Sequence, residues 1–372
     1  MRTRAEPVFI GSEVYRRPAY RPNHPLGIPR VETATDLCTV LGWLNRGFHA
    51  SPVATLADLA KFHRADYVEA LRCAEQNGSV DPAMRERYGI GTWENPIFPG
   101  LFERASTSVG GSILAAKLAL KGRVAYHPAG GTHHGRPDRA SGFCYFNDPV
   151  FAILTVLEAE AAPVLYVDLD AHHGDGVQDA FVDDPRVFTV SIHEAGRWPG
   201  TGSLQDRGQG RACNLPVPTG CNDSEFEFLM SEVVLPLAAR IRPAAVVVTS
   251  GADPLRGDPL SRMDLSNIVL WDAVEALTKI TPSAVVLGGG GYNPWTVARC
   301  WAGLWARLTG RPIPVVLPAE AQRLLAGLHS DLLEEDDREP AWITTLADPT
   351  NSGPVRDQVK EIARQARLAN GL

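Results

Sequence analysis

Cysteine is scarce in this 372-residue chain, and its six copies stand singly, with no Cys-x-x-Cys pair. That pattern excludes a disulfide framework and fits free thiols in a reducing compartment, so a cytoplasmic location is expected. No apolar stretch approaches the roughly 20 residues that a bilayer-spanning helix needs. The run Pro7–Ile10 behind Arg2 and Arg4 is too short for a secretory core. No membrane association is therefore expected. Basic clusters are equally rare: the one dense example is Arg85-Glu-Arg87, read as a solvated loop. With a net charge of −7 the chain is not expected to bind nucleic acid, which usually demands a basic face. Internal repeats and low-complexity segments are absent, and a composition 44% hydrophobic and 21% charged is that of a soluble globular protein rather than a disordered one.

Short apolar runs are present instead: Val164–Val167, Val187–Ile192, Ala244–Thr249 and Ala284–Leu287. They are continuous rather than alternating, as in strands buried on both faces of a parallel sheet. Helical patterns lie between and after them at Ser224–Arg240, Leu265–Lys279 and Pro294–Leu308, with Asp223 and Asn293 as expected N-caps. The alternation predicts an α/β domain with a mostly parallel central sheet and helices on both faces. An acidic run at Glu334–Asp337 and a turn-rich stretch at Asp348–Pro354 precede a last helical pattern over Val355–Ala369. No domain boundary is evident, and one domain over residues 1–372 is the simpler reading.

Ligands of open parallel sheets bind at the carboxyl ends of strands. Here Val164-Leu-Tyr-Val runs straight into Asp168-Leu-Asp-Ala-His-His-Gly-Asp175. If the extended backbone persists, Asp168, Asp170 and His172 point the same way. Carboxylates and an imidazole so crowded repel one another unless a cation or proton joins them. A later strand ends in Ser250-Gly-Ala-Asp253, which adds a carboxylate to the same rim. A lone aspartate after a strand is more often a cap, but no structural need explains this whole string. Asp170, His172 and Asp253 would supply three ligands, the number a catalytic zinc keeps when it leaves a position open. Fe(II), Mn(II) or Co(II) would also accept such an oxygen-rich set. Asp168 and Asp175 remain to orient neighbouring imidazoles. His133 and His134, behind Gly130 and Gly131, become an acid/base pair once those spare carboxylates are considered. Gly288–Gly291 lacks the Lys-Ser/Thr of a phosphate loop and fails the G-x-G-x-x-G spacing, so it reads as a flexible turn presenting the Tyr292 phenol to a developing oxyanion.

Together these segments resemble the histone deacetylase family, in particular the bacterial acetoin-utilisation-type deacetylases. The matching stretches are Asn23-His-Pro-Leu26, Gly130-Gly-Thr-His-His134, Ser141-Gly-Phe-Cys-Tyr-Phe-Asn-Asp148, Val167–Gln178, Pro199-Gly-Thr-Gly202, Gly251-Ala-Asp253 and Gly288–Tyr292. They stand in family order and cover roughly residues 8–310. The Asp-x-Asp-x-His-His-Gly-Asp-Gly string is the specific one. The resemblance implies the arginase/deacetylase fold, with residues 311–372 packed on or flanking it, and a zinc-dependent deacetylase acting on acetylated lysine of proteins. It implies zinc on Asp170, His172 and Asp253, and pairs His133–Asp168 and His134–Asp175. His134 would be the general base and then acid, His133 mainly electrostatic, and Tyr292 would hold the acetyl carbonyl oxygen. Gly142, Phe143, Trp198 and Leu260 would line the channel for the acyl-lysine stem. Glu94 would bind the substrate backbone at the rim, and Arg30 would sit in the acetate-exit pocket beneath the metal. A structural potassium ion would be surrounded by Asp168, Asp170, His172, Ser191 and Ile192, largely through main-chain carbonyls.

The sequence also departs from the family. Trp198 stands where phenylalanine is usual, the loop from His193 to Pro199 is shorter, Glu94 replaces aspartate, and the shortened Asp206–Pro216 segment removes part of a second monovalent-ion site. All four bear on the channel mouth or its support. An amidohydrolase for acetylpolyamines or other small acylated amines is therefore the second expectation, favoured by the bulk of Trp198. A non-catalytic acyl-amine binder is the third, and disfavoured because every residue the chemistry needs is present.

Overall fold

The continuous apolar runs become strands buried on both sides. The computed structural model describes residues 5–44 and 47–372, with the backbone alone for Glu335, so Arg2 and Arg4 lie outside the described residues. Eight strands form one sheet in the order β2-β1-β3-β8-β7-β4-β5-β6. They are β1 (Val8–Gly11), β2 (Phe48–Ala50), β3 (Val124–His127), β4 (Val164–Asp168), β5 (Val187–Glu194), β6 (Ala212–Val217), β7 (Ala245–Thr249) and β8 (Ala284–Leu287). Every neighbouring pair is parallel. Side chains alternate between two cores. Leu165, Val167, Val246, Val248 and Val286 face one; Val164, Tyr166, Ala245, Val247, Val285 and Leu287 face the other. Each aliphatic side chain so buried contributes roughly 1.5–3 kcal/mol, and burial on both faces is why no polar alternation marks these strands.

Register aligns the strand ends. His127 pairs with Leu287, Leu287 with Thr249, Thr249 with Asp168, and Asp168 with Ser191. Four strands, β3, β8, β7 and β4, thus stop in one row while β5 runs on to Glu194, and the loops that leave the four start level with one another. The Ser141–Cys144 turn and the segment after β4 reach the same edge. The helix Asp357–Asn370 packs Val359, Ile362, Ala363 and Ala366 into the larger core. Among the described residues no helix is long and apolar enough to cross a membrane, and the six cysteines are free thiols.

Several local expectations need correction. The segment expected as one helix over 224–240 is Asp223–Leu229, a π-helical stretch Met230–Val234, and Leu235–Ile241. Pro236 has no N–H to give the preceding turn, and the wider turn absorbs the lost bond. The N-cap is Asn222, in a capping box with Glu225. Asp223 instead accepts hydrogen bonds from the Ser266 N–H and hydroxyl and from the Asn351 N–H. Asn293 does cap Pro294–Leu308. Arg85 and Arg87 lie on a short helix, Pro82–Tyr88, that Asp81 caps and Pro82 starts, rather than on a loop. The Pro7–Ile10 run, weighed above as a leader, supplies β1, while β2 and β6 escaped the sequence reading. β2 is three residues of exposed or half-exposed edge with no apolar run to betray it.

Candidate active site and metal centre

At the end of β4 the backbone places Asp170 and His172 beside Asp253 from the end of β7. One ligand atom of each lies within 4.8 Å of the other two, and all three residues are buried. His172 Nδ1 stands 2.8 Å from Asp253 Oδ2 and 3.2 Å from Asp170 Oδ1. The aspartates are fixed from behind: Ala171 N donates to Asp253 Oδ1 at 3.1 Å and Gly290 N to Asp170 Oδ2 at 2.6 Å. Burial alone would lower the affinity of His172 for a proton, yet Asp170 and Asp253 raise its pKa to about 10. Burial and the Asp170 charge push Asp253 up. Two desolvated carboxylates around one imidazole thus call for a cation between them, and the O, N, O donor set fits a divalent metal with an open position. The cradle is tight: a Cβ on Gly251 would lie 2.3 Å from Asp170 Oδ2, and one on Gly290 would lie 2.2 Å from Asp253 Oδ2.

Beside this trio stand two histidine–aspartate pairs. His133 Nδ1 is 2.7 Å from Asp168 Oδ2, and His134 Nδ1 is 2.7 Å from Asp175 Oδ1. The Tyr166 hydroxyl, 2.6 Å from Asp168, and the Asp170 N–H complete the first. The Arg136 guanidinium, which also reaches Asp179, holds the second oxygen of Asp175. Burial opposes charge on His133, but Asp168 and Asp170 outweigh it and raise its pKa to about 9. Burial and the neighbouring His133 charge lower His134 to about 3. Asn147, fully buried, donates to the His133 and Gly135 carbonyls at 3.1 and 2.9 Å and fixes the turn that carries both rings.

Tyr292 follows the glycine run. These glycines are mostly buried and closely packed rather than flexible: a Cβ at Gly288 would lie 2.1 Å from the Pro128 carbonyl oxygen. They are needed because the backbone passes against Asp170 and Asp253. Asp258 holds the Tyr292 N–H at 2.7 Å and the Leu260 N–H at 2.9 Å, so one carboxylate places both the phenol and a channel wall. Burial, then the Asp253 and Asp170 charges, raise the Tyr292 pKa well above the usual phenol range and keep it a hydrogen-bond donor.

A cleft of about 920 Å³ opens above, lined by His134, Gly142, Phe143, His172, Trp198, Leu260 and Tyr292, with Glu94 at its rim. Gly142 and Phe143 both have positive φ, 56° and 64°, between Ser141 and Cys144, which exchange backbone hydrogen bonds of 3.1 and 2.9 Å. A left-handed phenylalanine costs roughly 1–3 kcal/mol; here it aims the ring between His24 and Tyr292. Trp198 lies edge-on to His134 with centroids 4.6 Å apart. Glu94 accepts the Gly142 N–H at 2.5 Å, so one of its oxygens braces the channel wall rather than facing outward. Beneath the glycine run a narrower cavity of about 130 Å³ is lined by Arg30, which donates to the Gly289 carbonyl and lies 5.0 Å over the Trp301 ring. Its Nε has no hydrogen-bond partner among the described residues. Ser191 and Ile192 are buried within β5, and Ser191 is in register with Asp168.

The structure therefore gathers His133, His134, Asp168, Asp170, His172, Asp175, Asp253 and Tyr292 at one strand edge, with the channel residues above and Arg30 below. Sequence reasoning missed Arg136, Asn147, Tyr166 and Asp258. Asn147 lay within a quoted motif, whereas Asp258 and Arg136 carried no spacing signal.

A family model described as "Histone deacetylase domain" matches residues 24–308. The acetoin utilization protein AcuC of Bacillus subtilis is 36% identical over 320 residues, 82% of this chain and 82% of that protein. Histone deacetylase 1 of Homo sapiens is 36% identical over 308 residues, covering 80% of this chain and 64% of that protein. The crystal structure of an HDAC homolog from Aquifex aeolicus superposes with a TM-score of 0.91 at 36% identity, over 98% of this chain and all of that one. A structure of an HDAC homolog complexed with SAHA gives a TM-score of 0.92 over the same shares.

Proposed function

The chain belongs to the histone deacetylase family, and we propose that it is a zinc-dependent hydrolase that releases acetate from acetylated lysine. The observation that carries this is the buried Asp170, His172 and Asp253 trio facing His134 and Tyr292 at the floor of a cleft. A divalent metal held by that trio would polarise the amide carbonyl and make a nearby water acidic at neutral pH. His134, kept neutral, takes a proton from the attacking water and delivers it to the leaving amine. The Tyr292 phenol donates a hydrogen bond to the carbonyl oxygen as negative charge develops there. His133 stabilises that charge electrostatically. Gly142, Phe143, Trp198 and Leu260 hold the aliphatic stem, Glu94 meets the substrate backbone with its remaining oxygen, and Arg30 draws acetate into the cavity below. A potassium ion at Asp168, Asp170, His172, Ser191 and Ile192 rests on the family resemblance, as does reading residues 311–372 as a flank of the same domain. The free thiols favour a reducing, cytoplasmic setting.

Protein lysine is preferred to acetylpolyamines on one observation. Of the carboxylates lining the cleft, Glu94 is bonded to Gly142 and Glu194 is paired through both oxygens with Arg197. A polycationic tail would meet no unengaged pair of carboxylates there. The test is hydrolysis of an acetyl-lysine peptide beside acetylpolyamines, with chelator and after zinc, iron or manganese is restored. Activity should vanish with chelator and return with metal. Tyr292→Phe should fold and bind metal yet lose roughly 10²–10³-fold in kcat; near-normal turnover would sink the assignment of the phenol.

A further inference from the structure

Beside the cleft lies a second groove of about 630 Å³, formed by the segments 18–24, 78–85 and 91–99. Trp93 lines both and is 64% exposed, so this one ring forms the ridge between them. It leans on His24 on one side, centroids 5.4 Å apart, and on Phe143 of the channel wall on the other, 6.4 Å apart. The groove has a charge of one sign. Arg21 and Arg85 line it, both are exposed, and neither has an ion pair among the described residues. No aspartate or glutamate lines it. The nearest acids on the Arg85 helix, Asp81 and Glu86, stand outside the lining, and Asp81 accepts the Met84 N–H at 2.9 Å. Several exposed arginines elsewhere are paired, among them Arg64 and Arg87 with Asp66 and Arg16 with Asp36. Two guanidiniums without a carboxylate partner thus share one concavity in a chain of net charge −7.

We propose that this groove docks an acidic stretch of an acetylated polypeptide while its acetyl-lysine occupies the channel across the Trp93 ridge. The proposal rests on the deacetylase reading and names its substrate class. Guanidiniums supply a planar fork that matches carboxylates, and the exposed indole offers a flat apolar face to the segment crossing it. Asn23 and Ser79, also in the lining and exposed, can serve an extended backbone. The ridge is one side chain wide, so the acidic residues would fall about two or more residues from the acetyl-lysine, at ~3.3 Å per extended residue. Acetyl-lysine amide carries no flanking residues to place in the groove.

The test uses acetyl-lysine peptides that differ only in flanks of aspartate, alanine or lysine, with acetyl-lysine amide as a substrate too short to touch the groove. The wild-type protein should favour acidic over basic flanks by about tenfold in kcat/KM, carried by KM, with the preference shrinking as salt rises. The double charge reversal Arg21→Glu with Arg85→Glu should erase or invert that order and leave acetyl-lysine amide turnover unchanged. Equal kcat/KM across the wild-type series, or a preference that survives the reversal, would overturn the proposal. Fluorescence anisotropy of the same peptides reads the groove without turnover, so absent hydrolysis of acetyl-lysine amide counts against the deacetylase reading alone. Tight binding of inorganic polyphosphate with no discrimination among the peptides would also overturn it.

Discussion

His133 and His134 are consecutive in the chain, their rings lie 3.9 Å apart, and each has an aspartate oxygen at 2.7 Å, yet they are held in opposite protonation states. The difference lies in the charges that surround each buried ring. His133 is paired with Asp168, to which the Tyr166 hydroxyl also donates, and stands 3.8 Å from Asp170; against its burial, both carboxylates raise it. Burial and the charge on His133 lower His134 and outweigh Asp175, which also pairs with Arg136. In the proposed mechanism one imidazole is a fixed positive neighbour and the other a neutral proton acceptor. Pairs of titratable groups whose surroundings drive them apart are how one fold runs acid and base chemistry together.

Substitution of the two rings themselves should have the largest effect. His134→Asn should lower kcat by about 10³-fold and His133→Asn by about 10²-fold, with secondary structure and metal content retained in both; equal losses in single-turnover assays would mean that the two rings share the proton work. Next comes the guanidinium. Arg136→Ala should lower kcat roughly tenfold. It also frees the charge of Asp175 to draw a proton onto His134, so the acid limb of kcat/KM should move to higher pH, and Arg136→Lys should restore most of both. A pH profile that does not move in the alanine variant would reduce Arg136 to a packing role. The smallest catalytic effect belongs to Tyr166→Phe, which removes a donor from buried Asp168 on the side of the cationic ring. Turnover should stay within a few-fold of wild type while denaturant unfolding loses about 1–3 kcal/mol.

The legible part of this site was the part written as a local string. Asp168 to Asp175 follow a strand whose apolar character is continuous, so their placement at a carboxyl end could be read directly. Asn293 was legible as a cap for the same reason. What escaped depends on contacts between distant segments. Arg136 matters only because the turn after His134 lies against the helix begun by Asp175. Asp258 matters because its loop returns under Tyr292. The glycine run was read as flexible, and only the positions of Asp170 and Asp253 show that it is instead a close approach of backbone to carboxylates. Asn222 and Asp223 compete for one cap, and propensity alone cannot choose between neighbours that both suit it.

The strand order carries a consequence for how the chain acquires this structure. β8 lies between β3 and β7, with Ala284 paired to both Val124 and Val246. During synthesis, every strand that flanks it is made first. Until residues 284–287 emerge, the halves β2-β1-β3 and β7-β4-β5-β6 each present an unpaired inner edge, the kind of surface that recruits other chains. The last strand to be translated is thus the one that joins the sheet. Because the glycines after it buttress Asp170, the cluster of Asp170, His172 and Asp253 is also completed only at that closing step, and a nascent chain stalled before residue 284 would present both open edges to other chains.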